Sequence, residues 1–298
     1  GLRNHGEVFP MEFGVSEIRL IDQHLFVAIL RDITERKQVE KRLRDNAERL
    51  EAYRDHQERE HALTREIIER QMARPGLSDP HVHHWVAPAQ DFSGDIVASA
   101  RANDGRLFAM LADGCGHGLA PAISVMPVLT MFYSLVEADT SPDLAHIVDE
   151  LNRQLVATLP GGRFVAGAML CIDESKQTAD IWVGGIPMLF WLGANGKLKQ
   201  SFASSHLSLG IIDSDADLLS MERVNWQVGD RFVACSDGLL ESPVAGGEAF
   251  GVERFVAILE SCPPGTDLLS HVRAELVPYI GASAPSDDIS LLVVECGP

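Results

Sequence analysis

Positive charge is scarce in this 298-residue chain: 25 Lys and Arg stand against 43 Asp and Glu, a formal charge of −18. Neutralising nucleic-acid phosphates needs the opposite balance, so no nucleic acid is expected as a partner. Cysteine is also sparse. Cys115, Cys171, Cys235, Cys262 and Cys296 form no CxxC pair, which speaks against a zinc knuckle or a thiol redox motif. They read as small core residues in a reducing compartment, and a cytoplasmic location is expected. No unbroken apolar run approaches the ~18–20 residues of a membrane span, so no span is expected. A GxSxG elbow, a Walker loop and a Gly-rich ATP lid are all missing.

What is present falls into three stretches. Residues 1–33 alternate in short apolar runs around Val8–Phe13, Ile18–Ile21 and Leu25–Leu30, with breaks at Asn4-His5-Gly6 and Asp22-Gln23-His24. This pattern predicts three antiparallel strands, too few for an independent domain. Residues 34–72 contain no Gly or Pro and carry ten Lys/Arg and ten Asp/Glu, so the net charge lies elsewhere. Interleaved opposite charges predict a long exposed helix. Leu43, Leu50, Gln57, Thr64 and Gln71 recur every seven residues, with Val39 and Ala47 beside the first two, which predicts a two-stranded coiled coil and a homodimer. Ala73-Arg74-Pro75-Gly76 should end it.

The remainder, 74–298, alternates strand and helix patterns. Strand-like runs cover His84–Pro88, Asp95–Ala100, Arg106–Ala112, Phe164–Ile172, Ala179–Val183, Met188–Leu192, Leu218–Trp226, Arg231–Cys235 and Ile289–Glu295. Helices are predicted at Leu119–Val136, Pro142–Thr158, Val252–Glu260 and Asp267–Ile280, the second with Ser141-Pro142 as N-cap and first residue. The fold class is therefore α+β, antiparallel sheets flanked by helices.

Aspartates fall at the ends of these strands. Asp113 precedes Gly114-Cys115-Gly116-His117-Gly118, Asp237 precedes Gly238, Asp287-Asp288 precede a strand, and Asp95 opens one after Phe92-Ser93-Gly94. If the strands lie side by side, the carboxylates meet at one rim. Buried carboxylates need positive charge, and oxygen-only ligands suit Mg²⁺ or Mn²⁺. The alternative is that Asp-Gly pairs only mark turns.

The ordered set Phe92-Ser93-Gly94-Asp95, Leu111–Gly118, Ser236-Asp237-Gly238-Leu239-Leu240-Glu241 and Asp287-Asp288-Ile289-Ser290 resembles the metal-dependent type 2C (PPM) protein phosphatases in their bacterial SpoIIE-like branch. Val183–Pro187 resembles that branch's Ala-Gly-His-Pro turn with Ile186 at the His position, and Ser208-Leu209-Gly210 its Pro-Leu-Gly element. Gly6–Pro10 and Arg31–Arg36 resemble the closing strands and Asp-Ile-Thr exit of a PAS sensor domain.

The resemblance implies a PPM-type α-β-β-α sandwich over 74–298, a helical linker over 34–73 and a partial PAS sheet over 1–33. It implies two Mn²⁺ or Mg²⁺ ions. Asp113 would bridge them, with the Gly114 carbonyl and Asp95 serving the second ion. Asp237 and Asp287 would serve the first, with Asp288 the alternative to Asp287. It implies hydrolysis of phosphoserine or phosphothreonine by a metal-activated water, with Asp113, Asp237 and Asp287 catalytic. The branch's usual substrate is a phosphorylated anti-sigma-factor antagonist. Two positions depart from the animal-type pattern. Cys115 stands where a His follows Asp-Gly, leaving His117 as the candidate acid, with a turn-packing residue as its other reading. The phosphate-holding cation is unassigned among Arg101, Arg106 and Arg163. A catalytically silent dimeric scaffold is the competing reading. The GxGxG run lacks dinucleotide-loop spacing, and His81-Val82-His83-His84 reads as a polar entry to the domain rather than a metal site.

Overall fold

The computed structural model describes residues 1–19, 24–72, 77, 79–138, 141–213, 218–243, 248–263, 266–280 and 285–297. It has two compact units, Gly1–Thr64 and Arg65–Pro298.

In the first unit, β1 (Met11–Arg19) pairs antiparallel with β2 (His24–Asp32), and α1 (Thr34–Met72) follows, the unit ending within it at Thr64. Among the described residues the hairpin has two long strands rather than three. The first two apolar runs merge into β1 because nothing between Phe13 and Ile18 turns the chain. The second run was expected to continue through Leu20 and Ile21 to a break at Asp22-Gln23, and these four residues lie outside the described ones. Phe13, Val15, Phe26 and Leu30 share one face of the hairpin, and Ile18, Leu25, Val27 and Ile29 the other; all are exposed. Asp32 starts α1, its Oδ1 accepting from the Thr34 amide at 2.9 Å and the Thr34 hydroxyl at 2.5 Å.

The second unit runs β3 (Val82–Ala87), β4 (Asp95–Arg101), β5 (Leu107–Gly114), α2 (Leu119–Ala138), α3 (Leu144–Thr158), β6 (Val165–Asp173), β7 (Thr178–Gly184) and β8 (Met188–Leu192). It continues with β9 (Leu198–Ala203), β10 (Glu222–Asn225), β11 (Arg231–Cys235), α4 (Asp237–Glu241), α5 (Val252–Ser261), α6 (Leu268–Ile280) and β12 (Ile289–Glu295). Two antiparallel five-stranded sheets result, ordered β10-β7-β6-β5-β4 and β3-β12-β11-β8-β9.

Period-2 alternation builds the layers. In β5, Phe108, Met110 and Ala112 pack with Val125, Phe132, Ile147 and Leu151 of α2 and α3. Leu107, Ala109 and Leu111 point the other way, toward Phe232, Ala234, Leu292 and Val294 of the second sheet. The outer face of that sheet packs on Phe255, Leu259, Val272 and Leu276 of α5 and α6. The architecture is therefore α-β-β-α. β6 is buried along all nine residues because both of its faces are covered.

Three sequence expectations need correction. α2 is long and apolar enough to cross a membrane by length and composition, contrary to the reading of the primary run. Its Ala122, Val125, Val128, Phe132 and Val136 are instead buried against the sheet. α3 starts at Leu144 with Asp143 at the cap, two residues later than predicted. Arg106 accounts for the shift: its Nη2 donates to Ser141 Oγ at 3.1 Å and to the Pro142 carbonyl at 2.7 Å. The run at Leu218–Trp226 yields only the four-residue β10. Leu218 packs into the core with its carbonyl accepting from the Trp182 indole at 2.9 Å.

Candidate metal centre

The alternation that fills the gap between the sheets with apolar side chains ends, at one rim, in polar ones. Asp95 and Asp113 are direct cross-strand partners in β4 and β5, on the face of Val97 and Leu111. In the facing sheet, Ser236 extends the Phe232-Ala234 row and Ser290 the Leu292-Val294 row. Ser236 and Ser290 continue that ladder, Ser236 N–H donating to the Ser290 carbonyl at 3.1 Å and Ser290 N–H to Ser236 Oγ at 2.9 Å.

Asp95 is 1% exposed, and its Oδ2 has no hydrogen-bond partner. Burial pushes its carboxyl above the usual range, and the Asp288 charge adds to it. Asp113 is raised too, by burial first and then by Asp95 and Asp237, with a smaller contribution from Asp287. Asp237 opens α4 and is raised by burial, then by Glu241 and Asp287. Asp95 faces Asp113 across β4–β5, Asp288 holds the Gly94 amide and Gly238 packs on residues 287–288, so Asp95, Asp113, Asp237, Asp287 and Asp288 share one rim, with Glu241 one turn along α4. Like charges crowded in this way favour a bound counter-charge.

The Asp287-Asp288 pair divides its work. Asp288 is buried, and both of its oxygens are taken: Oδ1 accepts from the Ala89 amide at 2.7 Å and Oδ2 from the Gly94 amide at 2.6 Å. Asp287 is half-buried, with Oδ1 accepting from the Asp288 amide at 2.8 Å. Asp287 is therefore the more open carboxylate of the two.

Two glycines allow the rim to close. A Cβ on Gly238 would sit 2.1 Å from the Asp288 carbonyl oxygen, and one on Gly94 would lie 3.0 Å from the Gly114 carbonyl oxygen. At Gly238 the obstacle is backbone, so it cannot swing away. Gly238→Ala is expected to destabilise the fold by roughly 1–3 kcal/mol, as overpacking does. Thermal melting checks this, and an unchanged midpoint would contradict the close packing of α4 on residues 287–288.

Among the described residues, no three His, Cys, Asp or Glu side chains already form a closed ligand set. The carboxylates line the rim without converging on one point. They still fit a divalent ion: the donors are all oxygens, and Asp95 carries a buried oxygen without a partner. His117 is exposed on the 115–118 turn, and Cys115 is half-buried beside it.

Comparison with known proteins bears on this geometry. The family model for stage II sporulation protein E (SpoIIE) matches residues 103–297. The chain belongs to the SpoIIE family. The phosphoserine phosphatase RsbP of Bacillus subtilis is 22% identical over 244 residues, 80% of this chain and 58% of RsbP. The protein IcfG of Synechocystis is 20% identical over 247 residues, 74% of this chain and 38% of IcfG. The chain thus spans little more than half, or less, of these curated relatives. Among solved structures, the SiaA-PP2C domain of Pseudomonas aeruginosa superposes with a TM-score of 0.71 at 20% identity, covering 82% of this chain and 98% of that domain. The PP2C phosphatase domain of Bacillus subtilis SpoIIE, with part of its regulatory domain, gives 0.61 at 16% identity, covering 72% and 62%. RsbX in complex with magnesium gives 0.52 at 17% identity, covering 73% and 96%. These likenesses establish the PP2C-type fold.

Several members of this SpoIIE-family rim stood in the quoted strings without the part the structure gives them. Ser236 and Ser290 were legible in principle, since each extends an apolar row by one period-2 step. Glu241, four residues after Asp237 on α4, was legible only once that short helix was recognised. Arg163 was one of three arginines offered as the phosphate-holding cation; its contact, Nη1 donating to the Cys115 carbonyl at 2.9 Å, is marked by no local signal.

Proposed function

We propose that this chain is a divalent-metal-dependent protein phosphatase acting on phosphoserine or phosphothreonine of a bacterial signalling protein, an anti-sigma-factor antagonist being the leading substrate. The observation that carries the reading is the crowded carboxylate rim of a SpoIIE-family fold. RsbP, named a phosphoserine phosphatase, supports it. In this reading Asp113, Asp237 and Asp287 hold Mn²⁺ or Mg²⁺, with Asp95 and the Gly114 carbonyl on the side of a second ion. Bound ions would supply charge to receive a phosphate dianion and would lower the pKa of a water. The chain's own contributions follow from placement. Asp95 keeps Asp113 company on the rigid β4–β5 ladder. Asp288 ties the rim together through backbone amides rather than through an ion. The exposed His117 ring would give a proton to the leaving serine oxygen.

The test is direct. Purified chain should release phosphate from a phosphoserine peptide when Mn²⁺ is added and not when it is chelated, and Mn²⁺ should raise its melting temperature. No release and no thermal shift would leave the silent scaffold.

In the same proposal, residues 1–33 are the closing strands of a PAS-like sensor, and α1 pairs with its copy in a homodimer. Val39, Leu43 and Leu50 are exposed on α1, as a seam awaiting a partner requires. A signal would then reach α2, which starts directly after the Asp113–Gly118 turn. Phosphate release that is unchanged after deletion of residues 34–72 would contradict this coupling.

A further inference from the structure

The turn bearing Asp113 and Gly114 leaves the sheet at Gly114, the last residue of β5. Only Cys115-Gly116-His117-Gly118 separates it from α2, and Gly116 and Gly118 adopt φ of 89° and 91°. Left-handed glycines at two of four positions leave a backbone with many alternatives, so its shape must be imposed from outside.

Residues 163 and 164 impose it. The Cys115 N–H donates to the Phe164 carbonyl at 3.2 Å, and Arg163 Nη1 donates to the Cys115 carbonyl at 2.9 Å. Two consecutive peptide groups are thereby fixed. A trans peptide carries its C=O opposite its N–H, so the Phe164 contact aims the Gly114 carbonyl away from residue 164. The Arg163 contact fixes the next peptide plane. Gly94 lies against the other side: its N–H is held by Asp288, its carbonyl accepts from the Gly114 N–H at 3.1 Å, and a Cβ there would sit 3.0 Å from the Gly114 carbonyl oxygen. Arg163 is itself anchored, its N–H donating to the Pro160 carbonyl at 3.1 Å across Gly161-Gly162. A guanidinium stays protonated at any ordinary pH, so the donor is permanent.

We propose that Arg163 is a positioning residue for the metal centre: by holding the Cys115 carbonyl it fixes the Gly114 carbonyl and the Asp113 carboxylate in the arrangement that accepts a divalent ion. This rests on the metal-dependent reading above. The role differs from that of a substrate-binding cation, and the two separate experimentally.

The experiment is calorimetric titration of the full chain with Mn²⁺ alone, for wild type, Arg163→Met and Arg163→Lys. Met keeps the apolar stem and loses the donor; Lys keeps a donor. The expected result is Mn²⁺ affinity about 10–100-fold weaker in Arg163→Met, the range for partners that orient metal ligands. Arg163→Lys should recover part of the loss. Metal-free melting temperatures should stay close to wild type, and the KM for an aryl phosphate at saturating Mn²⁺ should be unchanged. Wild-type affinity in Arg163→Met overturns the proposal, and with a raised KM it marks Arg163 as a phosphate contact. Should Arg163→Met fail to fold, Arg163→Gln, whose amide is too short to reach the Cys115 carbonyl, takes its place: a 10–100-fold weaker Mn²⁺ affinity supports the assignment, and wild-type affinity overturns it. Wild type that binds no Mn²⁺ removes the metal reading itself, which is a different failure from a wild type that binds beside an indifferent variant.

Discussion

Asp113→Asn should lose Mn²⁺-dependent phosphate release by at least ~100-fold, because even partners that merely orient metal ligands cost 10–100-fold. The substitution is nearly isosteric, so the β4–β5–β6 ladder through position 113 should persist. It removes an ionisable carboxyl from the place where burial, Asp95, Asp237 and Asp287 all press it toward its neutral form. Two opposite effects on stability follow. Without metal, the variant should melt at or above the wild-type temperature at neutral pH, because folding no longer has to neutralise a carboxyl that ionises in the unfolded chain. With metal, the ranking should reverse. An ion at one hundred times its Kd stabilises wild type by about 2.7 kcal/mol, and the variant should gain little of that. Melting curves with Mn²⁺ and with chelator, beside a phosphate-release assay, check both. Phosphate release equal to wild type would remove Asp113 from the centre.

Asp230→Ala should produce the largest loss of stability away from the rim. Asp230 is fully buried just before β11. Its oxygens accept from Trp191 Nε1 at 3.0 Å, from the amides of Ala194 at 3.2 Å and Gln227 at 3.0 Å, and from Lys199 Nζ at 2.9 and 2.7 Å. Truncation strands these donors, and breaking a buried pair by removing one partner costs about 3–5 kcal/mol. For a domain of this size the midpoint should fall by on the order of 10 °C. Lys199→Met should cost less, since the Lys199 side chain is 33% exposed and its partner keeps three other donors. β11 separates Asp230 from Asp237, about 17 Å along a five-residue strand. Mn²⁺ affinity of the folded Asp230→Ala variant should therefore match wild type. A loss under ~1 kcal/mol would show that Asp230 is not the hub its contacts describe.

The comparison of sequence with structure turns on how far each signal reaches along the chain. The α3 stripe of Leu144, Ile147, Val148, Leu151 and Leu155 is a local periodicity, and those residues are buried as the spacing predicts. The strand-end aspartates were legible because each sits in a short string of its own, and their order along the chain carried the family resemblance. β9 escaped because it is an edge strand: Lys199, Gln200 and Ser201 are exposed and only Phe202 is buried. α4 escaped because five residues make little more than one turn, too short to show a period. The Asp230 hub and the Arg163 contact escaped for a different reason. Arg163 meets Cys115 across 48 positions and Lys199 meets Asp230 across 31, distances over which periodicity says nothing. The change of helix start at α3 has the same origin, since Arg106 reaches 35 positions forward to Ser141.

The clasp formed by Asp288 has a consequence for how this fold tolerates change. The segment from Pro88 to Gly94 is the crossover by which the chain passes from one sheet to the other, and Asp288 grips it near both ends, at Ala89 and Gly94. Between those grips Phe92 is buried against Ala122, so only the exposed Gln90-Asp91 link can bulge outward, where added length in a closed loop costs only about 0.6 kcal/mol per doubling. Extra residues spliced between Gln90 and Asp91 should thus be accommodated with the rest of the domain in place. The same insertion directly after Ala89 or before Gly94 would pull an amide off its carboxylate and spread the mouth of the sandwich.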